Sequence, residues 1–199
     1  MNYPESLNSL IDSLKKLPSI GEKSAERLAF AIMNMEEEEI EKFSQSIIDV
    51  KSKIKKCSIC GNITEEETCF ICNDNNRDKK TLCVVKDSKD IISIEKTGSF
   101  YGKYHVLNGL ISPSEGKGPE DISLNKLLKR IKEENIQEII MAINSTLDGE
   151  TTALYISKIL EKENVIVTKI ARGIPVGADM EYLDSMTLSM ALINRDKIS

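Results

Sequence analysis

The chain has 199 residues, 40% of them apolar, a formal net charge of −5 and no tryptophan. That length fits one or two domains with a real core built from Leu, Ile and Val, and no apolar run approaches the roughly 20 residues that cross a bilayer. The acidic balance argues against non-specific coating of nucleic acid, so any such binding has to use a local patch, backbone amides or partners.

In chain order, Leu7, Leu10, Ile11, Leu14 and Leu17 recur at helical spacing over residues 5–17. Pro18-Ser19-Ile20-Gly21 breaks that helix, and Ala25, Leu28, Ala29, Ile32 and Met33 define a second. Gly21 offers positive φ or close backbone approach. Amides around Ser19 to Lys23 at the start of the second helix suit a phosphate, because a helix N-terminus is partially positive. Lys23 and Arg27 lie four apart on one face, and Lys15 and Lys16 add charge on the approach. The segment LKKLPSIGEKSAERLA (14–29) therefore reads as a DNA-binding helix-hairpin-helix, largely blind to sequence. The competing reading is an ordinary helical hairpin. Glu36 to Glu39 start a third helix, continued by Ile40, Phe43, Ile47, Val50 and Ile54.

Cys57, Cys60, Cys69 and Cys72 form two CxxC pairs separated by eight residues. Two such pairs can close a tetrahedral Zn²⁺ site and hold together a module too small for its own core. A disulfide framework fits a secreted chain, but MNYPESLNSL lacks a basic start and an apolar stretch. A redox motif needs only one pair. Reduced cysteines and no targeting segment point to the cytoplasm and away from the membrane. Cys83, inside the apolar run LCVV, reads as a core thiol.

Beyond the cysteines the pattern changes. LCVV (82–85), YHVL (104–107), EIIMAI (138–143) and VIVTKI (165–170) are β-prone, with helical candidates near 88–96, 121–134 and 150–163 between them and a last helix near 181–193. Alternation of this kind predicts a mainly parallel sheet covered on both faces. The loop NSTLDGE (144–150) then falls at the carboxyl edge, where ligands bind. Asp148 and Glu150, with Asp87 after the first of these strands, offer ligands for a cation such as Mg²⁺; the alternative is that they favour helix starts. His105 sits inside YHVL and reads as packed, no serine has a base beside it in sequence, and neither GxGxxG nor GxxxxGK[ST] occurs. EGKGP (115–119) reads as a mobile loop.

From about Leu7 to the end, the order of parts and the strings LPSIGEKSAERLAF, CSICGNITEEETCFIC, CVV, YHVLNGLISPSEGKGPEDI, TLDGETTALYISKIL and TKIARGIPVGADMEYLDSMTLSMAL resemble the bacterial RecR family of recombination mediators. The resemblance implies a helix-hairpin-helix domain over 1–54, a four-cysteine zinc finger over 55–78, a Toprim-like α/β domain over 79–171 and a Walker-B-like segment with a helix over 172–199. It implies DNA contacts at Lys23 and Arg27, one structural zinc on the four cysteines, and no cutting or joining of DNA. It further implies a ring-like tetramer that encircles DNA and acts with RecO and RecF to load RecA on single strands. Asp148 and Glu150 are carried over as partner contacts, and IPVGADMEYLD (174–184) as an oligomer or partner contact. The sequence departs from the family at Lys86, where relatives carry Glu directly after the strand; Asp87 follows, and Mg²⁺ binding at this edge is in doubt. A Toprim phosphoryl-transfer enzyme using Asp148, Glu150 and Asp87 around Mg²⁺ is the alternative.

Overall fold

A computed structural model describes residues 3–171 and 173–195. The chain divides into two compact units, residues 1–54 and 55–199.

The first unit is three helices, α1 (Glu5–Lys15), α2 (Glu22–Met33) and α3 (Glu37–Lys53). Its core is small: Ile11, Ala25 and Ala29 are buried, with Tyr3, Leu7, Leu10, Leu14 and Ile20 packed around them. Alanines at 25 and 29, one turn apart, let α1 and α2 approach closely. The link between them is a type II β-turn. Ile20 N–H donates to the Leu17 carbonyl at 3.2 Å, Pro18 holds the second position, and Ser19 takes the left-handed third position at φ 67°. Gly21 is not the left-handed residue: it lies at φ −88°, ψ 176°. A type II turn requires positive φ directly after its proline, so that demand falls on Ser19. None of the residues of α3 is buried.

The second unit opens with a hairpin, β1 (Lys55–Lys56) and β2 (Ile63–Thr64), followed by a one-turn helix α4 (Phe70–Asn73). Then come β3 (Thr81–Val85), α5 (Ser88–Glu95), β4 (Lys103–Val106), α6 (Leu124–Glu133), β5 (Glu138–Ala142), α7 (Leu147–Leu160), β6 (Ile166–Lys169) and α8 (Ser185–Ile193). The four long strands form one parallel sheet in the order β4-β3-β5-β6. From β3 the chain goes to β4 on one side and then crosses to β5 on the other. The carboxyl ends of β3 and β5 therefore flank the point where ligand crevices form in such sheets.

Side-chain alternation splits the core in two. Leu82, Val84, Ile139 and Met141 face α6 and α7, meeting Leu124, Leu127, Ile131, Ile156 and Leu160. Cys83, Val85, Tyr104 and Val106 face the other way, against Ile91 of α5 and against Cys57, Cys60, Cys69 and Ile71 of the cysteine module. That module thus shares one face of the sheet with α5. It also covers an edge: the Val106 N–H on β4 donates to the Cys60 carbonyl at 2.8 Å. Among the described residues no helix is long and apolar enough to cross a membrane.

Candidate zinc centre and nucleic-acid interface

The cysteine module is built from two tight turns. In the first, Gly61 N–H donates to the Cys57 carbonyl at 3.0 Å and Cys57 N–H to the Asn62 carbonyl at 2.7 Å. Gly61, at φ 80°, supplies the left-handed step that closes this turn, where any other residue would be strained. In the second, Cys69 precedes α4 and Cys72 lies on it. The four sulfurs lie within 4.8 Å of one another, the only such group of three or more candidate ligands among the described residues. Cys57 and Cys72 sulfurs are 3.8 Å apart, and those of Cys60 and Cys69 3.6 Å. A tetrahedron with Zn–S bonds of about 2.3 Å has edges of about 3.8 Å, so both separations match a zinc site. Backbone amides support the thiolates: Asn62 N–H reaches Cys60 Sγ at 3.4 Å and Cys69 N–H reaches Cys57 Sγ at 3.3 Å.

The sulfurs also constrain one another's charge. Hydrogen bonds from neighbouring thiols, Cys60 first, hold Cys69 far below the ordinary thiol range. Cys60 is pushed up to about 12, chiefly by its bond to Cys69, and Cys72 is raised, chiefly by Cys60. Four sulfurs this close ionise together only around a cation. With four protein ligands the centre is closed to substrate, and its role is structural. Cys83 is 2% exposed and burial pushes its thiol up to about 12, as suits an inert core residue.

Lys103 gives no warning of its role in the sequence, where the β-prone run begins one residue later. Lys103 is buried, at 6% exposure, and its ammonium donates to the backbone carbonyls of Ile71 at 2.7 Å, Cys72 at 3.2 Å and Asp74 at 2.6 Å. It ties β4 to the end of α4. A lysine beside a cysteine module with no nearby acid is the one signal available, and it needs the fold to be read.

At the hairpin, no side chain caps α2, and its first intrahelical bond runs from Ala25 N–H to the Gly21 carbonyl at 2.9 Å. The amides of residues 22–24 therefore lack intrahelical partners. A Cβ added at Gly21 would meet nothing within 4 Å, so the helix start is open to solvent. Lys16, Ser19, Lys23 and Arg27 are exposed. Lys15 is different: its ammonium pairs with Glu22 at 2.5 Å and Asp12 at 3.5 Å, and Glu22 raises its pKa. Half of the local positive charge on that approach is thus already engaged.

The acidic edge is dispersed. Asp87 caps α5, accepting from Lys89 N–H at 3.1 Å, while Asp90 accepts from Asp87 N–H at 3.1 Å. Asp148 and Glu150 sit in the first turn of α7, whose cap is Thr146. Glu150 pairs with Lys169 on β6 at 3.3 Å. Gly149 between them is required by space, since a Cβ would stand 2.0 Å from the Asn144 carbonyl. The three acids are thus distributed over two helix starts, and they do not gather into a cation site. His105 is buried, its Nε2 lying 2.9 Å from the Ser123 carbonyl.

Four family models match successive parts of the chain: the RecR helix-hairpin-helix over residues 7–51, the RecR four-cysteine zinc finger domain over 54–74, the Toprim domain over 80–171 and the RecR C-terminal region over 173–195. Three of the four are specific to one family, they follow its order, and between them little of the sequence is left unmatched. The chain belongs to the RecR family of non-enzymatic recombination mediators.

Proposed function

We propose that the chain is a DNA-binding mediator in recombinational DNA repair, acting in the cytoplasm as a clamp-like, ring-shaped tetramer on single- and double-stranded DNA. With RecO and RecF it helps to load RecA on single strands. Labour divides along the chain: residues 1–54 grip DNA, the zinc finger 55–78 braces the α/β domain 79–171, and 172–199 serve assembly. Asp148 and Glu150 meet a protein partner at the carboxyl edge.

The observation that carries this reading is the start of α2. Partnerless amides, an unobstructed Gly21, and exposed Lys23 and Arg27 one turn apart converge there. These groups recognise phosphate without reading bases. Replacing Lys23 and Arg27 together with Ala is expected to weaken binding to a labelled single strand while light scattering reports an unchanged oligomer. In a salt titration by anisotropy, the slope of log K against log salt becomes shallower by about 1.4, the value for two lost phosphate contacts on single strands. An unchanged slope overturns the hairpin as the DNA surface.

Self-association is supported by two apolar surfaces, one on each unit. Phe43, Ile47, Ile48 and Val50 of α3 are exposed, and so are Met186, Leu192 and Ile193 of α8, a mainly apolar helix with no residue buried. A closed ring of two-fold pairs needs two different contacts on each copy, and helices that are apolar without a partner call for one.

A further inference from the structure

We infer that Lys103 is the built-in counter-charge of the zinc–thiolate centre. The reading rests on the four cysteines holding zinc. Four thiolates around a divalent cation make a doubly negative centre, and Cys57, Cys60 and Cys69 are each about 1% exposed. A buried charge has to be compensated nearby. Lys103 is one of two buried cations among the described residues. The other, Arg130, has its carboxylate: Glu134 accepts from its Nε at 2.7 Å. No carboxylate pairs with Lys103 among the described residues, and its ammonium bonds only carbonyls. One of those carbonyls belongs to Cys72, itself a zinc ligand, and another to Ile71 beside it. An ammonium without an anion, seated against the backbone of a metal ligand, and an anionic centre in the same core complete each other.

Capping of the three carbonyls alone would also use a lysine, and charge separates the two roles. Lys103→Arg keeps charge and donors, Lys103→Gln keeps donors without charge, and Lys103→Met keeps neither. The full-length chain and the three variants are purified with zinc and titrated against a chromophoric zinc chelator, and each is melted with and without EDTA. The Gln and Met variants are expected to hold zinc about 10- to 100-fold more weakly, the range for loss of an outer-shell partner, while Arg stays near the parent. After EDTA the Met and Gln variants are expected to melt no lower than the parent, because the unpaired ammonium is then a burden. Gln binding zinc as tightly as the parent, or Met melting below the parent by the same margin with and without EDTA, overturns the inference. Should Met fail to fold, the Gln and Arg variants decide it. A parent that binds no zinc sinks the metal assignment itself; a parent with zinc and a Gln variant to match sinks only the counter-charge.

Discussion

Gly21 and His105 show how one side chain, or its lack, decides what a segment does. The φ, ψ of Gly21 is open to any residue, so glycine is not there to make the turn. What it leaves is empty space in front of the α2 amides. Gly21→Ala is therefore expected to change stability by less than about 1 kcal/mol, the entropy gained offsetting a poorer helix cap, yet to weaken DNA binding several-fold by placing a methyl where a phosphate oxygen would lie. Urea unfolding and anisotropy on the same preparation check the pair of outcomes; equal DNA affinity rules out close approach at this glycine. His105 is the opposite case, a titratable group kept neutral. A carbonyl can only accept, so Nε2 carries the proton toward Ser123, and Nδ1 faces the Arg130 guanidinium at 3.4 Å. Burial first, and Arg130 with it, lowers its pKa to about 4. A histidine depressed in the folded state adds stability above its unfolded value of about 6.5, lost as pH falls toward 4, an effect of about 3 kcal/mol. Unfolding curves at pH 7 and pH 4.5 are expected to differ less in His105→Gln, whose amide can still donate to Ser123, than in the parent; an equal acid loss in both removes His105 as its source.

At the scale of elements, what was legible followed from periodicity and what was hidden depended on tertiary neighbours. The unbroken apolar run Leu82, Cys83, Val84 and Val85 is that of a strand buried on both faces, and the sheet uses it so. The CxxC spacing carried the metal site because four ligands on two short turns leave few arrangements. The fate of the acids was not legible: Asp87, Asp148 and Glu150 look alike in sequence as ligands or as first-turn residues, and only the cap bonds of α5 and the Lys169 pairing separate the two. The burial of Lys103 was hidden for the same reason, since its three carbonyl partners lie about thirty residues earlier in the chain. Helix α3 shows a different limit. Ile40, Phe43, Ile47, Val50 and Ile54 recur at spacings of three and four, a pattern that promises a partner, yet none is buried within its unit. On the proposed assembly that partner is another copy, and α8 repeats the case on the second unit. Ile47→Glu and Leu192→Glu, each at an exposed position, are expected to leave the fold of one chain intact. Each alone shifts the tetramer to a dimer by light scattering, and both together give monomers. A double variant that remains a tetramer denies both helices a role in assembly.

At the scale of the whole molecule, the two units differ in what holds them. Among the described residues, the first has a core of three buried side chains. The second continues its core from the sheet into the cysteine module, so its β4 edge and part of one face depend on the metal. Zinc is then part of the α/β fold as well as of its own finger, since binding to the folded state alone adds to the stability of everything cooperatively attached to it. Hydrogen exchange with and without a strong chelator reads this directly. Chelation is expected to release protection in residues 55–74 and also at Tyr104 to Val106, where the Val106 amide loses its Cys60 acceptor. The buried β3–β5 pairing exchanges later, as the larger core opens. Helices α1 and α2, which bury their own separate set of side chains, keep their protection, so the turn proposed to grip DNA outlasts the metal. Loss confined to residues 55–74 would make the finger an appendage of the sheet, and simultaneous loss in α1 and α2 would mean that the two units fold as one.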